Sequence, residues 1–293
     1  MLFSATMLAT AQRTLADCDA LLSHFALPCG IAASLVGQNR PHHAIVHGSD
    51  AVLLKKCPSV VQRFFFDGCT SIQCVHPGLR RDWPPLSVPL IDHPMGWSPH
   101  GWRREHARAD LQITDNQVLV LCIARCIELK GLAVLSQAAR QLSASPNVRF
   151  VVIGDGPLRE KLTRQASANI TFVGELSAQL RDRWLAAADI YVQPSCVIDQ
   201  RTDSAPTALV EAMGAGLASV VSQVGALPWL AANSAIVVAP NDVSALARAL
   251  TLLAENPSLR LNMGRLASER AQQWSWSSLA KRIEDALTTG VTV

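Results

Sequence analysis

From residue 117 onward, short apolar runs alternate with stretches in which apolar residues recur every three or four positions. Residues 117–124 form a continuous aliphatic run that reads as a strand, and 129–142 has helical spacing. Residues 148–153 are strand-like again and stop at Gly154-Asp155-Gly156-Pro157. A proline suits the first turn of a helix, where its missing N–H would have no partner anyway, so a helix is predicted over 157–168. Further strands are predicted at 170–173, 190–193, 219–222 and 235–238. A helix is predicted at 178–188, and helices continue to the C-terminus. Strands that are apolar at every position are buried on both faces, and strands alternating with helices run parallel. The fold class is therefore α/β. Sheets of this kind bind ligands at the carboxyl ends of their strands. Arg125, Gly154, Gly174 and the 194–206 segment all fall there.

The first 116 residues are less regular. Strands are predicted at 19–23, 44–46 and 73–75, with a helix over 30–36. His24, His42 and His43 read as polar loop residues. Residues 83–102 hold prolines 84, 85, 89, 94 and 99 with Trp83, Trp97 and Trp102. That is linker composition, and it predicts a domain boundary, with an N-terminal domain over 1–100 and a second domain over 101–293.

Composition narrows the picture only a little. The 293 residues are 49% hydrophobic and carry a formal net charge of +3. That is ample material for one large or two ordinary cores, and too mild a charge to point to nucleic acid or an acidic membrane surface. The eight cysteines include no Cys-x-x-Cys pair, so they are expected to be reduced thiols, not zinc ligands or a disulfide framework. Arg13 and Asp17 interrupt the apolar start, which lacks a basic leader, so no signal peptide is expected. Residues 212–241 are uncharged, but Gly214, Gly216, Gly225, Pro228 and Asn233 divide them into pieces too short to span a bilayer.

Three motifs carry chemistry. Arg125 and Lys130 follow a buried strand, where two cations can clamp a diphosphate and stabilise charge as it leaves. Gly154-Asp155-Gly156-Pro157 makes a tight strand-to-helix turn. Asp203 and Glu211 bracket a small, proline-containing turn that opens an apolar helix, and the backbone N–H groups of such a turn and helix N-terminus can hold phosphate. Taken singly, each has a plain structural reading: surface charges, a turn, and a carboxylate favoured by the helix dipole.

Their order is more informative. Arg-x4-Lys-Gly, Gly-Asp-Gly-Pro and Asp-x7-Glu-Ala-Met-x-Ala-Gly occur at successive strand ends. In this the chain resembles the C-terminal half of the retaining GT-B glycosyltransferases, glycosyl transferase group 1 (family 4), over about residues 117–285. The segments Phe172-Val173-Gly174-Glu175-Leu176, Leu185-Ala186-Ala187-Ala188-Asp189-Ile190, Ser222-Gln223-Val224-Gly225 and Trp274-Ser275-Trp276 fit as well. In the first half, Ser23-His24-Phe25-Ala26-Leu27-Pro28-Cys29-Gly30, Val46-His47-Gly48-Ser49-Asp50 and Pro94-Met95-Gly96 are also similar to that family.

The resemblance implies two Rossmann-like domains facing a cleft. It implies a diphosphate clamp of Arg125 and Lys130, and Glu211 on the ribose hydroxyls of the nucleotide. The segment Ala205, Pro206, Thr207 and Ala208 would meet phosphate and sugar through its backbone N–H groups, Pro206 having none, with Gly154 on the donor side and Gly174 and Glu175 near the nucleobase. His47 would be a catalytic residue of the first domain. Asp203 stands where the family has a glutamate that touches the donor sugar, and is one methylene shorter. Trp229 stands where the family often has glutamate. The family's opening strand, glycine-rich loop and first helix have no counterpart before residue 19, so the N-terminal domain is expected to be incomplete.

The implied activity is transfer of a sugar from a nucleoside-diphosphate sugar to an acceptor hydroxyl with retention, without metal or cofactor. The implied partners are the nucleotide sugar and a glycan or lipid-linked acceptor, with peripheral membrane contact and no nucleic acid. The implied setting is cell-surface polysaccharide or lipid-linked glycan synthesis in the cytoplasm, at the inner face of the membrane. The alternative is a truncated, non-catalytic nucleotide-sugar-binding protein.

Overall fold

The computed structural model describes residues 18–37, 40–199 and 201–289, with isolated positions before residue 18. The chain divides into two units, Met1–Met95 with Trp276–Val293, and Gly96–Ser275.

The first unit is built on four parallel strands in the order β1-β2-β3-β4: β1 (Leu21–His24), β2 (His42–Val46), β3 (Ser71–Cys74) and β4 (Leu90–Asp92). Helices α1 (Ile31–Val36), α2 (Gly48–Lys56) and α3 (Ser59–Asp67) connect them. Ala44, Val46 and Ile72 of the sheet pack with Ala51 and Leu54 of α2 and Phe65 and Phe66 of α3. Two sequence expectations are corrected here. His42 and His43 are not loop residues but the buried start of β2. Their rings are accommodated because each is hydrogen-bonded, His42 to Ser23 Oγ (2.8 Å) and the Gly68 carbonyl (3.0 Å), His43 to Ser71 Oγ (2.7 Å). Burial pulls the His43 imidazole down to about 4. The proline-rich 83–102 segment is not linker throughout, since it contains β4 at the sheet edge, where proline is tolerated beside a strand.

The second unit follows with β5 (Val118–Ile123), β6 (Val148–Ile153), β7 (Ile170–Gly174), β8 (Ile190–Gln193), β9 (Ala218–Ser222) and β10 (Ala235–Val238). They form one parallel sheet in the order β10-β9-β8-β5-β6-β7. Its helices are α4 (Arg104–Asp110), α5 (Leu132–Gln141), α6 (Arg159–Arg164), α7 (Ala178–Ala187), α8 (Thr207–Gly214), α9 (Leu227–Ala231), α10 (Val243–Glu255) and α11 (Pro257–Gln272). Leu119 and Leu121 of β5 join one core layer with Leu209 and Met213 of α8, while Val120 and Cys122 join the other with Leu135 of α5 and Leu250 of α10. Strands covered on both faces are predominantly apolar, the pattern read from the sequence, with Arg149, Thr171, Gln193, Ser219 and Ser222 as exceptions.

The helix expected over 129–142 begins only at Leu132, after a 3₁₀ turn at Glu128–Lys130 and Gly131 at φ 63°. The helix expected over 157–168 contracts to Arg159–Arg164, and the chain turns at Ser167, whose carbonyl accepts from Ile170 N (3.1 Å). The last helix, α12 (Trp276–Thr289), belongs to the first unit and packs against β2, whereas the sequence reading assigned it to the second domain.

Asp189 of the Ala-Ala-Ala-Asp-Ile segment lies at the amino end of β8. It accepts from Leu119 N (2.8 Å), Arg104 (2.6 Å) and the buried Arg108 (3.1 Å). At that end of the sheet it holds β5, β8 and α4 together and is remote from the ligand-binding edge.

Candidate functional site

Successive strands spread outward from the centre of the second sheet, β6 and β7 to one side of β5, and β8, β9 and β10 to the other. The order therefore reverses between β5 and β8, and loops leaving a parallel sheet at such a point diverge to form a crevice at its carboxyl edge. The loops after these two strands carry Arg125 and Lys130, and Asp203.

They are fastened to one another by backbone. Cys196 N donates to the Leu129 carbonyl at 2.8 Å. Gly131 sits so close to β8 that an added Cβ would lie 1.8 Å from the Pro194 carbonyl oxygen. This contact and its positive φ require glycine there. Across it, Lys130 Nζ donates to both carboxylate oxygens of Asp203, at 2.8 and 2.7 Å.

Asp203 is buried, and its remaining partners come from β8. Ser195 Oγ donates to Oδ2 at 2.7 Å, and Gln193 Nε2 donates to the same oxygen at 3.2 Å. Gln193 in turn accepts from the Tyr191 hydroxyl at 2.6 Å. Tyr191, Gln193 and Ser195 are fully buried. Burial pushes the Tyr191 phenol well above its ordinary range, so it remains a neutral donor. The Asp203 carbonyl accepts from Ala226 N at 3.0 Å, and a Cβ on Gly225 would come within 2.0 Å of that carbonyl oxygen. Tyr191, Gln193 and Ser195 were missed in the sequence. Their signal was polar residues at alternate positions ending an otherwise apolar run, the period at which side chains of a strand share a face.

Arg125 differs from Lys130. It is exposed, and among the described residues its guanidinium has no ion pair or hydrogen bond. Gly154 and Gly156 lie against the same loop. Cβ atoms there would approach the Ala124 carbonyl oxygen at 2.0 Å and the Cys126 carbonyl oxygen at 2.7 Å, while Cys126 N donates to the Asp155 carbonyl at 2.8 Å. The Gly-Asp-Gly-Pro turn thus positions the Arg125 loop. Gly174, at φ 83°, ends β7 beside the Arg159 guanidinium, which pairs with Asp155 at 2.9 Å, and Glu175 next to it is exposed.

Ala205, Pro206 and Thr207 are half-buried and enter α8, whose N-cap is Pro206 with no side-chain cap. The first N–H groups of this helix therefore have no capping side chain, and the dipole makes that end positive. Glu211, one turn in, accepts from Arg181 Nη2 of α7 at 3.1 Å. Burial raises its carboxyl above the ordinary range, Arg181 opposes the rise, and Asp182 adds to it. Arg181 was also missed, because α7 shows no motif.

Gly214 and Gly216 pack. A Cβ on Gly214 would meet the Trp97 ring at 2.3 Å, and Gly264 of α11 approaches the Gly216 carbonyl equally closely. Trp229 stacks near Trp274 with ring centroids 5.7 Å apart, which gives this tryptophan a packing role.

His47 belongs to the first unit, at the N-cap of α2. Its Nε2 lies 3.3 Å from His24 Nδ1, and its ring packs on Phe25 with centroids 4.6 Å apart. Burial, then the neighbouring His24, lowers its pKa, which favours the neutral ring. Nearby Asp50 is buried and accepts from Ala26 N at 2.6 Å, tying α2 to the loop after β1.

Residues 103–270 match the family described as glycosyl transferases group 1. The chain belongs to this family. It is 27% identical over 261 residues to TuaC of Bacillus subtilis (strain 168), a candidate teichuronic acid biosynthesis glycosyltransferase, covering 85% of this chain and 64% of that protein. It is 29% identical over 188 residues to a GDP-mannose-dependent monoacylated alpha-(1-6)-phosphatidylinositol monomannoside mannosyltransferase of Corynebacterium glutamicum, covering 61% of this chain and 49% of that one. It thus spans less than two thirds of the length of either relative.

Two solved structures share the fold. One is a sucrose-phosphate synthase of Thermosynechococcus elongatus, at TM-score 0.78 and 20% identity, covering 98% of this chain and 77% of that one. The other is Anabaena HepE in complex with UDP and glucose, at TM-score 0.75 and 18% identity, covering 98% and 81%. The α/β architecture of parallel sheets is that of the GT-B glycosyltransferases. Among the described residues no helix is long and apolar enough to cross a membrane.

Proposed function

We propose that this group 1 glycosyltransferase binds a nucleoside-diphosphate sugar at the carboxyl edge of its second sheet and transfers the sugar to an acceptor hydroxyl with retention. The observation that carries the reading is the meeting of the β5 and β8 loops at the switch point, where the β5 loop carries Lys130 and an exposed Arg125 that has no ion pair among the described residues. In this reading both cations face the diphosphate, and the uncapped start of α8 at Ala205–Ala208 adds backbone donors. Glu211 accepts from the ribose hydroxyls, and Gly174 with Glu175 lies toward the nucleobase.

The reaction breaks the bond between the anomeric carbon and the phosphate oxygen. It forms a bond from that carbon to the acceptor oxygen on the same face, and the acceptor proton passes to the departing phosphate. Arg125 and Lys130 stabilise the charge that develops on the leaving diphosphate, so no metal is needed. The neutral His47 is proposed as a hydrogen-bond partner of substrate in the first unit. The name of the mannosyltransferase favours a hexosyl donor and a lipid-linked acceptor, and that of TuaC a polysaccharide; a lipid-linked acceptor would entail peripheral contact at the inner face of the membrane.

Calorimetry with UDP-, GDP- and ADP-linked sugars tests the donor site. Micromolar to millimolar binding of one of them is expected. Arg125→Ala should weaken it by about 1–3 kcal/mol, the range for charge-assisted hydrogen bonds. Folded protein that binds none of the panel overturns the reading. The anomeric configuration of the product, read by NMR, tests retention.

A further inference from the structure

A wholly buried polar chain runs along one face of the end of β8. The Tyr191 hydroxyl donates to Gln193 Oε1 at 2.6 Å, Gln193 Nε2 donates to Asp203 Oδ2 at 3.2 Å and lies 3.1 Å from Ser195 Oγ, and Ser195 donates to Asp203 Oδ2 at 2.7 Å. Buried polar groups cost stability unless each is satisfied, and a satisfied network fixes its members rigidly. Here Gln193, Ser195 and Lys130 converge on one carboxylate, and Tyr191 holds Gln193. The outlet of the chain toward solvent is Lys130, whose side chain is 17% exposed against 7% for Asp203.

Counting lone pairs shows what the carboxylate can still do. An ionised carboxylate offers about four acceptor positions. Asp203 Oδ2 accepts from Lys130, Ser195 and Gln193 and Oδ1 accepts from Lys130 alone, in a side chain only 7% exposed, so burial leaves a sugar hydroxyl little access to the position that remains on Oδ1. Its backbone is pinned as well, by Ala226 N and by the close approach of Gly225. An ammonium has three N–H donors. With two of them directed to Asp203, Lys130 is left with one, held in a fixed direction.

We propose that Asp203 is a positioning residue, locked by Gln193 and Ser195, that aims the remaining N–H of Lys130 at the donor diphosphate and leaves the hydroxyls of the donor sugar to other groups. This rests on the donor-site reading above, and it replaces the sequence expectation that Asp203 touches the sugar. The shorter side chain fits the assignment. Aspartate holds its carboxylate on Lys130 and Ser195 in a buried position.

A double-mutant cycle separates the two roles. UDP, GDP and ADP, each free and as the glucose conjugate, are titrated by calorimetry into wild type, Asp203→Asn, Lys130→Ala and the double variant. Asp203→Asn is expected to weaken the free diphosphate and its conjugate by the same factor, roughly tenfold, the scale of one charge-assisted hydrogen bond. That factor is expected to disappear in the Lys130→Ala background. A merely structural role would not vanish with Lys130. Ser195→Ala is expected to show the same pattern at smaller size, and it keeps the test available if Asp203→Asn fails to fold. Selective weakening of the sugar conjugate, or costs that add across the cycle, overturn the proposal while the donor site stands. A folded wild type that binds no member of the panel overturns the donor-site reading and this proposal with it.

Discussion

Glu211 shows how a single neighbour sets the working range of a residue. Its carboxyl is raised by burial, and the Arg181 guanidinium at 3.1 Å offsets part of that rise, while Asp182 of α7 adds to it. The buried Tyr191 of β8 also senses Glu211, and burial above all raises its phenol far enough that it stays neutral at physiological pH. In the proposed role on the ribose, the ionised carboxylate is the stronger acceptor for two hydroxyls, so nucleotide binding should weaken as pH falls through the raised pKa of Glu211. Replacing Arg181 by leucine removes the cation and leaves the desolvation, so the acid limb should move to higher pH. Titrating the preferred nucleoside diphosphate from pH 4.5 to 8 checks this, and an unshifted limb in Arg181→Leu would show that the pair does not govern Glu211. Arg125, exposed and unpaired, needs no such help.

The elements that matter are held by close backbone approaches. Gly131 joins the β5 loop to the end of β8. It combines φ 63° with an added Cβ that would stand 1.8 Å from a backbone oxygen, which cannot swing away as a side chain could. Gly131→Ala should therefore cost roughly 2–4 kcal/mol, the range of the larger single-residue effects, and should weaken nucleotide binding further by moving Lys130. Gly101→Ala is the control, because a Cβ there meets nothing within 4 Å. Urea unfolding of both variants checks the contrast, and equal stabilities would refute it. The same logic explains the short α6 and the late start of α5. Periodicity predicted longer helices, but the Gly131 contact and the turn at Ser167 end or delay them.

At the scale of the whole molecule, the second unit contains both layers that cover its sheet, all within residues 96–275. A fragment of those residues should unfold cooperatively and bind the nucleoside diphosphate within a few-fold of the full chain. Circular dichroism and calorimetry on the fragment check this, and a molten or non-binding fragment would refute it. The first unit is different, since α12 packs on β2 but follows residue 275 in the chain.

Much of the second unit was legible in the sequence. Parallel strands buried on both faces are mostly apolar, and the Arg-x4-Lys-Gly, Gly-Asp-Gly-Pro and Asp-x7-Glu motifs marked successive strand ends. The first unit was less legible, because β2 begins with two histidines and β4 is a short edge strand among prolines. Local pattern carries no sign that the Ser23 and Ser71 hydroxyls will satisfy those histidines. Nor does it carry the partner of a charge. The sequence named Lys130, Asp203 and Glu211 as site residues. The attachment of Asp203 to Lys130, Ser195 and Gln193, and of Glu211 to Arg181, was decided by tertiary structure, because the loops and helices that carry these residues meet only after the strands have found their order in the sheet.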